Sequence, residues 1–457
     1  MKPTVFQRSA LALAISGAAL APVQAWSDLL DGASDVLTLR DAPGEYEISG
    51  FDMVAFPGGS FVVVWTEHDA SSNDKVFLQL FNKTGSAIGT ARELAQASGT
   101  GESFEFPTVG GDLNGNLALA WTVTSDTGLN SLACNTTTSV NIRGLTLSPP
   151  YSSSQQLPLY SSQGNNPCSP EIAMDDDGDF VLVWATQNSG YDLSVQTYLA
   201  GGAPSRGQKA LVVGMDSPAK VALQNNQTIL FGWLDSNEVL GRKYDLQLNP
   251  LGGSFSLDGN ENFGSEAFNN IDIANDVDGG FITTFTRGSD QSSNAIDQMV
   301  QRWNADGSEG SGRVVLSTTG SSMGVGSPSI ASDSEGNIVT TWDYSKSSTE
   351  PSAAIEATST NKSNQSVFES SSYIQDLDSD TTFHSARIAM NDDVIAIAWV
   401  PDDSSSATTI NARILQPLST NTSSDEDQEE GLFGSINPWF LALLGGLLGL
   451  WRRIRTR

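Results

Sequence analysis

Between positions 45 and 416 apolar residues come in short runs broken by polar turns, and no stretch carries the 3.6-residue period of an amphipathic helix. One frame recurs. From Ser169 the chain reads SPEIAMDDDGDFVLVWA, from Ser327 SPSIASDSEGNIVTTWD, from Asn270 NIDIANDVDGGFITTFT and from Pro107 PTVGGDLNGNLALAWT. The shared order is Pro or polar, apolar, small, Asp, any residue, an acidic or amide residue, Gly, then an apolar run ending in Trp or Phe. Weaker copies end at Trp65, Trp233 and Trp399. The terminal aromatics are thus Trp65, Trp121, Trp184, Trp233, Phe285, Trp342 and Trp399, spaced 49 to 63 residues apart. Seven units follow from that spacing.

Each unit has a second half, such as VFLQLFNKTG from Val76 or MVQRWNADG from Met299, often with a further short strand such as 313–316. The Asp-x-x-Gly and Asp-Gly turns between the first two stretches are hairpin signals. Residues 61–65 and 180–184 are apolar on both faces, whereas a sheet with one face in water would alternate. Burial on both sides places each four-stranded sheet between two neighbours, as blades are placed in a propeller. The pattern predicts an all-β chain with a seven-bladed β-propeller over residues 35–416, and tandem β-sandwiches are the alternative. The seventh unit lacks a fourth strand, while residues 36–39 form an unattached strand ahead of the first unit. Pairing the two would close the ring and remove a free edge.

The segments Asp278-Gly279-Gly280-Phe281-Ile282 and Gly58-Gly59-Ser60-Phe61-Val62-Val63-Val64-Trp65 resemble the DGGFVVVW-like units of bacterial extracellular repeat families. That resemblance implies a propeller of the kind found in adhesin-like and surface proteins, and no particular activity.

The two ends predict an address. Lys2 and Arg8 precede a small apolar stretch, and Val23-Gln24-Ala25 supplies a cleavage site, so residues 1–25 read as a secretory signal peptide. Residues 417–431 form an acidic linker. Residues 432–451 carry no charge, enough to cross a bilayer, and Arg452, Arg453, Arg455 and Arg457 would hold the end inside. The segment 432–457 resembles bacterial C-terminal sorting tails of the PEP-CTERM and GlyGly-CTERM type, although Gly445-Gly446 lies inside its apolar run. The expectation is an exported envelope protein, membrane-anchored or released at the surface after processing of that tail.

A formal charge of −30 argues against nucleic acid as a partner. It also multiplies oxygens that suit calcium. Asp175, Asp177 and Asp179 are the best candidates for a metal site, and a structural hairpin turn is the competing explanation. Cys134 and Cys168 fit a disulfide stapling the insertion of the second unit, worth a few kcal/mol. His68 and His384 could share one face of a closed ring, but they read first as exposed, unrelated histidines. The tryptophans read as blade-to-blade core ahead of sugar platforms.

No phosphate loop or nucleophile elbow occurs, and no carboxylate pair is singled out. The expected function is a non-catalytic binding or adhesion propeller with a glycan or protein partner at the cell surface. The alternative is a secreted polysaccharide hydrolase or lyase with carboxylates at the central channel. Acidic residues gathered at an open channel mouth would favour the enzyme; a filled channel and a flat face would favour the binder.

Overall fold

In a computed structural model each sequence unit forms one antiparallel sheet. It describes residues 33–417 apart from 45, 70–72, 98–101, 125–138, 160–166, 188–189, 236–237, 259–270, 289–295, 320–323, 326, 346–352, 362–371, 378–385 and 402–406. In the first sheet, strands Tyr46–Ala55, Phe61–Asp69, Lys75–Phe81 and Ala87–Gln96 pair in chain order. Six more sheets start from inner strands Ser103–Gly111, Pro167–Met174, Lys220–Leu223, Ile271–Asn275, Ser329–Ser332 and Arg387–Asn391. In the sixth, Gly324–Val325 also pairs with the second strand, so the inner position is filled by two pieces. The architecture is a seven-bladed β-propeller. Among the described residues the helical content is a three-residue turn, Val277–Gly279.

Stacking explains why the second strands are apolar throughout. Side chains of a strand alternate between its two faces. In Phe61–Asp69, Val62 and Val64 pack toward the second blade, in a cluster with Leu119 and Trp121. Val63 and Trp65 point the other way and pack with Val394, Ala396 and Ala398 of the seventh blade. The terminal aromatics Trp65, Trp121, Trp184, Trp233, Phe285, Trp342 and Trp399 are all buried. They are blade-to-blade core and offer no exposed face to a pyranose ring.

The seventh blade takes its outer strand from the other end of the domain. Leu37–Asp41 pairs antiparallel with Thr409–Leu415, placing Leu37 opposite Ala412 and Asp41 opposite Thr409. Flanking bonds extend the seam: Ser34 N–H donates to Ile414 O at 2.8 Å, and Ala42 N–H to Thr408 O at 2.8 Å. Backbone groups that would otherwise template aggregation are thereby paired.

The turns after the inner strands share one mechanism. Asp112 Oδ1 accepts from Asn114 N–H and Asn116 N–H, and Asp333 Oδ1 accepts from Glu335 N–H and Asn337 N–H. The glycine that follows is left-handed, with φ of 82° at Gly115, 90° at Gly178 and 84° at Gly336. The fourth blade puts Gln227 there instead, at φ 64°. An L side chain in that region costs about 1 kcal/mol. Gln227→Gly is therefore expected to raise the unfolding free energy measured in urea by about 0.5–1 kcal/mol, after the exposed bond from Gln227 to Asp179 is given up. Gly178→Ala is expected to lower it, because a Cβ there meets Asp112 Oδ2 at 2.9 Å.

Residues 1–25 and 432–457, which carry the expected signal and tail, lie outside the described residues, as does most of the 417–431 linker. Among the described residues no helix is long and apolar enough to cross a membrane.

Candidate functional site

The acidic turns that suggested calcium have a structural part in the hairpins. Asp175 is 4% exposed, and its Oδ1 accepts from Asp177 N–H at 3.2 Å and Asp179 N–H at 2.9 Å. Asp179 spends its oxygens on Ala200 N–H and on Gln227, while Asp177 stands exposed. Asp175 and Asp179 thus have separate partners. Among the described residues no group of three metal-ligating side chains is assembled. Exposed acids nearby join blades: Asp176 and Asn225 bond reciprocally, and Asp392 accepts from both the N–H and the Oγ of Ser334. Asp175 thus serves the turn as its inward acceptor, and Asp179 serves contacts to Ala200 and Gln227.

Burial pushes the Asp175 carboxyl up to about 6, with Asp179 and Asp177 adding repulsion against the two backbone bonds. In the unfolded chain it ionises near 3.8, so between these values the folded state holds the extra proton. Its stabilisation is complete below the lower value and is lost as pH rises through about 6. Asp175→Asn keeps the turn acceptor and removes this loss. The variant is expected to melt higher than the native protein at pH 8, by on the order of 1 kcal/mol after solvent screening, and to show no gain at pH 4.

A second constellation lies on the propeller axis. One residue of each inner strand stands next to the strand position facing the terminal aromatic: Asp52, Thr108, Glu171, Lys220, Asp272, Ser329 and Arg387. All seven line one cavity of about 520 Å³. Lys220, Ser329 and Arg387 open their strands whereas the acidic turns close them, so ring and turns lie toward opposite ends of the propeller. Six of the seven ring residues are followed by an apolar residue and then Ala or Gly, as in Glu171-Ile172-Ala173 and Arg387-Ile388-Ala389; after Asp52 the pair is Met53-Val54. The small residue lets the next blade approach: a Cβ on Gly110 would meet Ile172 Cγ2 at 2.7 Å.

The inner edge of each blade carries backbone N–H groups with no further strand to receive them. Ring residues supply acceptors across the blade seams. Asp52 Oδ2 accepts from Val109 N–H at 2.9 Å, Thr108 Oγ1 from Ile172 N–H at 3.2 Å, Glu171 Oε1 from Val221 N–H at 3.1 Å, and Asp272 Oδ2 from Ile330 N–H at 3.0 Å. One oxygen of each carboxylate is thus pinned, which orients the other. Glu171 Oε2 reaches Lys220 Nζ at 2.8 Å. Those two side chains are 21% and 31% exposed, so they face an open channel rather than a dry core.

The charges tune one another. Burial raises Asp52 above the usual carboxylate range, opposed by Arg387 and by the N–H groups of Val109 and Met53. Burial also raises Glu171, against the attraction of Lys220 and with repulsion from Asp272. Burial pulls Lys220 down, but Glu171 and Asp272 more than offset it and hold the ammonium above the ordinary lysine value. A carboxyl whose ionisation burial delays, set among other carboxylates, is suited to general acid chemistry.

Of the other expected residues, His68 is buried between the first two blades, its Nδ1 2.7 Å from Asp74 Oδ1, and does not face the channel. His384 and Cys134 lie outside the described residues. Cys168 is buried beside Ala185, and no free thiol occurs among the described residues. The axial ring was not singled out from the sequence. Its signal was present, since one slot of the repeat, ahead of an apolar–small pair in six of the seven units, holds Asp, Thr, Glu, Lys, Asp, Ser and Arg in turn.

No family model and no curated protein matches the chain. Among solved structures, a protein of unknown function from Dyadobacter fermentans superposes with a TM-score of 0.51 at 9% identity, over 84% of this chain and 99% of that one. An ulvan lyase of polysaccharide lyase family PL25 gives 0.43 at 12% identity over 84% and 96%. An α-L-arabinofuranosidase from Fusarium graminearum gives 0.45 at 10% identity over 84% and 98%. The first likeness is one of fold alone, and the two weaker ones bear on neither activity nor substrate.

Proposed function

We propose that the protein is an exported glycan-cleaving enzyme whose reaction centre is the axial channel. The observation that carries this reading is the ring itself, with three carboxylates and two cations around one open cavity of about 520 Å³, within the size range of ligand sites. In this proposal Asp52 donates a proton to the glycosidic oxygen, because burial keeps it protonated to higher pH. Asp272, pinned by Ile330 N–H through one oxygen, supplies the second carboxylate. Incubation with neutral and acidic polysaccharides tests the reading. New reducing ends are expected; a matching yield of ultraviolet-absorbing unsaturated ends would identify elimination rather than hydrolysis. Retention of glycans with no cleavage of any would overturn it.

A non-catalytic binding or adhesion role is the second reading, favoured by one observation. The seam bonds give the ring acceptors a structural reason to exist. We also propose that residues 1–25 direct export, that 432–457 engage a membrane, and that Cys134 pairs with Cys168 outside the cytoplasm. These follow from sequence pattern. A mass difference equal to the loss of residues 1–25 in the secreted protein checks the first.

A further inference from the structure

Seam bonding accounts for Asp52, Thr108, Glu171 and Asp272, because each offers an oxygen to the next blade. It cannot account for Lys220 and Arg387. Ammonium and guanidinium groups have no acceptor, so at these two ring positions a seam bond of this kind is chemically excluded. The Met53 N–H that lies beyond Arg387 goes to Asp52 of its own blade instead.

Arg387 is also under-used. Among the described residues it makes one hydrogen bond, Nη1 donating to Ala386 O at 3.1 Å, and no ion pair. Arg302, by contrast, meets Asp276 at 2.6 Å and donates to Gly336 O and Asn361 O; Arg40 meets Glu67 at 2.6 Å. Arg387 lines the cavity half-buried, where water attenuates its charge less than at the surface. Lys220 lines the same cavity, and the two cations act on each other through it. A guanidinium with spare N–H donors in a confined space fits a planar or tetrahedral oxyanion in two-point contact.

We propose that Arg387, assisted by Lys220, is the anion-recognition half of the channel site, and that the glycan it takes carries a singly charged acidic substituent. This deepens the glycan-cleaving reading and rests on it. A singly charged substituent matches one guanidinium with spare donors, and each further negative charge on it would add repulsion from the ring carboxylates. A uronate carboxylate and a sulfate ester share the required chemistry.

Calorimetric titration of the full chain with three probes tests the inference: an oligo-uronide, its carboxyl-reduced neutral counterpart, and a sulfated neutral oligosaccharide. Either acidic probe is expected to bind roughly ten- to a hundredfold more tightly than the neutral one, the range of one charge-assisted hydrogen bond. Arg387→Gln is expected to abolish that preference, its affinity for the acidic probes falling to that for the neutral one, with no fall in melting temperature. Arg387→Lys should restore part of it, since the charge returns without the fork. Preference for the uronide or the sulfated probe identifies which substituent is used. Equal affinity for acidic and neutral probes, or an acidic affinity unmoved by Arg387→Gln, overturns the inference. Binding is read without turnover, so the two readings fail separately. Cleavage of neutral glycans by the native protein as fast as acidic ones removes the acidic substrate alone, whereas tight acidic binding without cleavage removes the enzyme alone.

Discussion

Asp52→Asn is expected to reduce glycan cleavage by about two to four orders of magnitude, the usual worth of a positioned general acid. The substitution separates chemistry from architecture. An Asn side chain keeps an oxygen that can accept the Val109 N–H, so the seam between the first two blades survives. What disappears is the transferable proton. Melting temperature and binding of uncleaved oligosaccharide should therefore stay near native while turnover collapses. The native pH profile should fall on its alkaline side as Asp52 ionises, above the ordinary carboxylate range, because burial outweighs the pull of Arg387. In Asp52→Asn residual activity should lose that limb. A variant that retains native turnover would place the proton donor elsewhere in the ring.

Trp121→Ala is expected to destabilise the propeller by about 3–5 kcal/mol, the cost of an unfilled cavity in a packed core. Trp121 is buried among Val62, Val64 and Leu78 of the first blade and Phe104, Leu119 and Val123 of its own, with the Phe104 ring centroid 6.0 Å away. Removing the indole therefore loosens a joint between blades rather than one blade's interior. Trp121→Phe should cost much less. The indole N–H has no hydrogen-bond partner, so the smaller ring gives up contact area but also removes a buried, unsatisfied donor. Urea unfolding of the three proteins, followed by circular dichroism, measures both differences. Equal losses for Ala and Phe would mean that the N–H is satisfied by water.

The fold was legible because its determinants repeat. An apolar strand ending in Trp or Phe needs a partner on each face, and seven copies that each need two neighbours are satisfied by a closed stack. The turn chemistry repeats as well, so Asp112, Asp175 and Asp333 were visible as a class. Their number also made them look like chemistry, and the structure shows an inward acceptor holding each turn. The channel ring was hard to see for the opposite reason. Its residues occupy one slot of the repeat but differ from blade to blade, and a search for likeness passes over a position where copies disagree. Asp52, Lys220 and Arg387 become one site through the ring, which places them around a single axis although 335 residues separate the first from the last. Sequence carries the slot, and closure of the stack carries the encounter.

That closure also constrains when the protein can become itself. Thr38 faces Asn411 in the last blade, a bond spanning 373 residues. Contacts so distant in sequence are slow to form, because the intervening chain must be ordered before they are rewarded. Six blades can assemble as the chain emerges, but the seventh is incomplete until its third strand reaches the strand made first. Throughout that interval both ends of the stack present unpaired edges. A chain that crosses a membrane unfolded before assembling would meet this interval outside the cell, where a repulsive charge of −30 helps keep half-built rings apart. The acidity first noted as an obstacle to nucleic acid thus doubles as protection for an assembly intermediate.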